Sequence, residues 1–82
     1  MGTEVWVLTR TMTDGNGVIL RQDTLVFKEF GAAKAELCNI ARAMQDDYDA
    51  ERDTMEFSPR AVSLYYKNGG TDFVTLNEIT VL

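Results

Sequence analysis

The tetrapeptide Asp14-Gly15-Asn16-Gly17 constrains the fold more than any other feature of the chain. It holds two overlapping hairpin signals, Asp-Gly and Asn-Gly, and either glycine can supply the positive φ of a tight reversal. Before it, residues 4–12 are rich in β-branched and aromatic side chains that alternate, with Trp6, Leu8 and Met12 against Val5, Val7, Thr9 and Thr11. After it, residues 18–27 read as the return strand. Their polar centre, Arg21-Gln22-Asp23, suits an exposed middle or a bulge. A second signal, Asn68-Gly69-Gly70, separates residues 61–67 from residues 71–76. In the first of these runs Val62, Leu64 and Tyr66 alternate with Ala61, Ser63 and Tyr65. Asn77 and Glu78 interrupt the second run, and Ile79 to Leu82 are apolar enough to be tied into the sheet as a short fifth strand.

Between the hairpins the period changes. Projected at about 100° per residue, Ala33, Leu37, Ile40, Ala41, Met44 and Tyr48 form one apolar stripe, which predicts a helix over 31–54. Phe30 stands on the same line as a staple. Met55 falls on it too, and nothing breaks the pattern before Pro59, so the periodicity leaves open a helix that continues through the segment 46–56. The expectation is a single α+β domain over 1–82. It is a two-layer ββαββ arrangement, with two hairpins in one four- or five-stranded antiparallel sheet and one long helix packed on one face. The far face of such a sheet is solvated or covered by another chain. That predicts a homodimer formed through the sheet face or an edge strand.

Composition narrows the chemistry. The chain has no histidine and one cysteine. The commonest general base and metal ligand is therefore missing, and no intramolecular disulfide is possible. The absence of disulfides, of a signal-peptide layout and of a long apolar run places the expected location in the cytoplasm, off the membrane. The eight basic residues are scattered, which argues against direct nucleic-acid binding. Without a nucleophile–base pair, a phosphate loop or a dinucleotide motif, no enzymatic activity and no cofactor are expected.

The net charge of −5 is localised. Residues 46–56 (DDYDAERDTME) carry six acids and one base, and the rest of the chain is balanced. On a continuing helix, Asp46, Asp49, Asp53 and Glu56 form one outward stripe, braced by Arg42–Asp46 and Arg52–Glu56 pairs at i, i+4. Acids at a helix C-terminus oppose the macrodipole, so such a stripe calls for a reason. One is a docking surface for a basic partner, with mimicry of nucleic acid as a version of it. This gives a small binding or regulatory module, of a layout common among accessory proteins of bacteria, phages and mobile elements. Two alternatives stay open. The first is a structural homo-oligomer with an acidic segment that only solubilises it. The second is a weak calcium or magnesium site on Asp47, Asp49, Glu51 and Asp53, although Arg52 and Ser58 occupy the places of the turn glycine and the closing glutamate of a calcium loop. Trp6 and Tyr65 are the candidate aromatic anchors of an interface. Cys38, at the edge of the helix stripe, reads as a small packing residue.

Overall fold

The computed structural model describes residues 3–81. It contains five strands and one helix: β1 (Thr3–Thr13), β2 (Ile19–Phe27), α1 (Phe30–Asp47), β3 (Thr54–Ser58), β4 (Ala61–Tyr65) and β5 (Thr71–Val81). All the strands lie in one sheet with the order β2-β1-β5-β4-β3, and every neighbouring pair is antiparallel. The architecture is α+β, with the helix on one face, as the alternation and the turn signals predicted. The first and last strands pair with each other, Thr3↔Val81 through Thr13↔Thr71, and so join the two hairpins.

Both long hairpins reverse in the same way. The Gly17 N–H bonds to the Asp14 carbonyl at 3.1 Å and the Gly69 N–H to the Tyr66 carbonyl at 2.9 Å. Each closing glycine has a positive φ, +82° and +93°. The two turns also touch. A Cβ built on Gly15 would stand 2.4 Å from the carbonyl oxygen of Asn68, so this position is closed to any side chain. Opposite the Met12–Thr13 step the register shifts past Leu20, a bulge just before the polar centre of β2.

The even-numbered residues of β1, β4 and β5 face the helix. Leu8, Val62, Leu64, Val74 and Leu76 close on Ala33, Leu37 and Met44, with Trp6, Phe27, Ile40, Ala41, Tyr48, Met55 and Tyr66 around them. Each fully buried Leu or Val contributes roughly 1.5–3 kcal/mol relative to exposure. The helix stripe is therefore as expected, but the helix is shorter. It ends at Asp47, and Tyr48 takes an extended conformation at its C-cap. Aspartates that bond nearby backbone compete with helix, and Asp49 does so, accepting the Glu51 N–H at 3.0 Å.

Several expectations change as a result. Met55 reaches the core from β3, not from a helix. Pro59 lies in the tight turn between β3 and β4. The additional strand is β3, whereas β5 passes through Asn77 and Glu78 unbroken to Val81. Leu82 lies outside the described residues.

Candidate functional site

The structure disperses the acidic stripe. Asp46 is exposed on the last turn of α1, and Glu56 is on β3. Asp49 and Asp53 shape the loop between these elements. Asp49 accepts from the Glu51 N–H and from Arg52 Nε at 2.9 Å, so Arg52 is paired within the loop and not with Glu56. Asp53 is only 7% exposed. One of its oxygens accepts the Lys67 N–H at 3.1 Å and the other accepts the Asp49 N–H at 3.3 Å. It fastens the loop to the β4–β5 turn and does not stand on an outward helical stripe. A shallow groove of about 440 Å³ lies beside it, lined by Arg52, Asp53, Tyr66, Lys67 and Asn68. Burial, reinforced by Asp72, Asp47 and Asp53, holds the Tyr66 phenol above its ordinary range. No group of three or more His, Cys, Asp or Glu among the described residues is arranged to hold a metal ion.

The two aromatic candidates lie on opposite faces. Trp6 is on the helix side, its ring 4.6 Å from that of Phe30 and 5.0 Å below the Arg60 guanidinium. It is a half-buried core residue; Phe30, expected as a staple ahead of the helix, is instead the first residue of α1 and stays exposed beside the Trp6 ring. Tyr65 is on the other face of the sheet, which no layer among the described residues covers, and is 41% exposed. Cys38 is exposed instead of packed.

The face opposite the helix is uncovered among the described residues. Odd-numbered residues of β1 and β5 supply its length. Val5, Val7, Ile79 and Val81 make an aliphatic end, with Val26 beside Val7 on β2. A band of hydroxyls follows, Thr24, Thr9 and Thr75 in one row across three strands. At the other end Thr11, Ser63, Tyr65, Thr71 and Phe73 line a second shallow groove of about 440 Å³. The hydroxyls of Thr13 and Thr71 lie 2.7 Å apart at its rim. Val26, Phe73, Ile79 and Val81 are 43–63% exposed. Glu56, opposite Ser63, is the only charge among the described strand positions of this face. Of the six residues singled out in the sequence, only Glu56 and Tyr65 come together here. The alternation of 61–67 and 71–76 carried the signal for Phe73 and Ser63, but the sequence did not say which set faced the helix.

Comparison with protein families, with curated proteins and with solved structures finds no match.

No helix among the described residues is long and apolar enough to cross a membrane. The face therefore has to be read from its own chemistry. It offers neutral, β-branched and aromatic surface with hydroxyl hydrogen-bonding groups. It has no paired nucleophile and base. Such a surface suits burial against another sheet, where side chains from two faces interdigitate about 10 Å apart.

Proposed function

We propose that this chain is a non-enzymatic protein-interaction module whose binding surface is the uncovered face of its sheet, and that a second copy covers it. The observation that carries this reading is the distribution of charge. A chain with a net charge of −5 repels its own copy, yet this face presents a single charged strand residue, at its margin. Burying it costs little desolvation and brings few like charges together. Area supports the same reading. The molecule measures 48 × 23 × 15 Å. A face spanning the two longer extents offers on the order of 1,000 Å², against about 800 Å² per partner in a standard interface. The product is a four-layer assembly, helix–sheet–sheet–helix, with both acidic loops on the outside.

Asp46 and Asp47 at the end of α1 and Glu51 in the loop that follows remain exposed on each copy. They are the residues left to engage a basic partner, with two copies of the loop in one dimer. The test is mass in solution. The chain is expected to sediment as a dimer, and Phe73→Glu, which introduces a charge into the face without touching the core, as a folded monomer. A wild-type monomer at all accessible concentrations, or a Phe73→Glu dimer, would overturn the reading.

A further inference from the structure

The sheet has a second unfinished feature, at one end of β5. Strand β4 accompanies β5 only as far as Ala61↔Thr75, and the last bond between them is the Leu76 N–H to the Arg60 carbonyl at 2.8 Å. β5 continues to Val81, paired on one side with β1. In an antiparallel ladder successive residues direct their peptide groups to alternate sides. Glu78 and Thr80 share the parity of Leu76, so their N–H and C=O groups point outward, where no strand among the described residues receives them. We propose that this edge is a strand-addition site for an extended partner segment that alternates apolar and basic side chains.

The side chains select that composition. Glu78 and Thr80 stand on the helix side of the sheet, with Glu4 diagonal to Glu78 across β1. Ile79 stands on the opposite side, beside Val5. An added strand places residues facing Glu78 with the acids and residues facing Ile79 with the aliphatics. The two glutamates crowd each other: hydrogen bonding to Glu78 and repulsion by it raise the Glu4 carboxyl above its ordinary range. A second copy added antiparallel here would gather four carboxylates on one side, whereas a lysine or arginine relieves the crowding. The other edges fit less well. β3 is only five residues long, and the charges at the centre of β2, Arg21 and Asp23, already pair at 2.5 Å.

The experiment titrates the whole 15N-labelled chain with a blocked Lys-Val-Lys-Val-Lys-Val peptide and, separately, with its Glu-Val counterpart, following backbone amide shifts. The lysine peptide should bind saturably, with shifts centred on Glu78 and Thr80, and the glutamate peptide should not bind. Glu78→Lys should weaken binding by about tenfold or more. Thr80→Pro should do the same, because it removes an outward N–H and leaves the bonds to β1 in place. Absence of binding, binding indifferent to Thr80→Pro, or shifts centred on residues 46–51 would overturn the proposal. So would concentration-dependent protection of the Glu78 and Thr80 amides without peptide, which would make a second copy the occupant.

Discussion

Arg10 and Asp72 form a two-pronged ion pair beneath the helix, Nε to Oδ1 at 3.0 Å and Nη2 to Oδ2 at 2.6 Å. The carboxylate is 2% exposed and the Arg10 side chain 25%. The partners are therefore unequal when separated. Arg10→Ala leaves a buried, unpaired charge and should cost about 3–5 kcal/mol. Asp72→Asn leaves a guanidinium that can reach water and should cost about 1–3 kcal/mol. Urea denaturation of both variants checks the order. Equal effects would contradict it.

Asp53 and Asp46, read alike in the sequence, should behave in opposite ways. Asp53→Ala removes the acceptor of two backbone N–H groups in a buried place and should cost about 1–3 kcal/mol. Asp46→Ala removes an exposed acid from the last turn of α1 and should raise stability by up to about 0.5 kcal/mol. Thermal melts of the two variants beside wild type decide this.

That contrast marks where the sequence was legible. The strands follow from two-residue alternation and the turns from glycines that alone suit a positive φ, so both could be read directly. The helix stripe from Ala33 to Met44 was equally plain. The helix end was not, because Tyr48 and Met55 project onto the stripe and both do reach the core, Met55 from a strand. An aspartate that closes a loop and one that ends a helix look the same in a string of acids. Arg10 and Asp72 each interrupt an otherwise apolar alternation, beside Leu8 and Val74. This was a signal for a buried pair, but the order of strands that joins them came only with the structure. Of the proposed binding surface, Tyr65 and Glu56 were singled out and Phe73 was not, because alternation identifies two faces without saying which is covered.

Tyr66 gives a pH dependence at the alkaline end. Its phenol titrates higher in the folded chain than the ordinary value of 10.0, chiefly through burial and then through Asp72, Asp47 and Asp53. Between the unfolded and folded values the folded state holds the proton and the unfolded state does not. Stability therefore falls as pH rises through that window. Tyr66→Phe should flatten the decline above pH 10, as measured by the urea midpoint across pH, with little change near neutrality. A slope unchanged by the substitution would assign the alkaline loss to other groups.

The contact between the two hairpin turns should be intolerant of a methyl group. A Cβ at Gly15 meets the Asn68 carbonyl at 2.4 Å. Gly15→Ala should destabilise by about 1–3 kcal/mol through forced displacement of backbone. Gly31→Ala, with open space around the added carbon and a place in the first turn of α1, should be neutral or stabilising by up to about 1 kcal/mol. Urea midpoints of the pair separate contact from composition.

The central claim is that a second copy covers the uncovered face of the sheet. An isotope-filtered nuclear Overhauser measurement on a mixture of labelled and unlabelled chains tests it most directly, since it reports only contacts between copies. The account expects intermolecular contacts from Val7, Val26, Tyr65 and Phe73 and none from the helix surface at Cys38 or Asp46. Intermolecular contacts confined to α1, or none at a concentration where the unsubstituted chain sediments as a dimer, would contradict it.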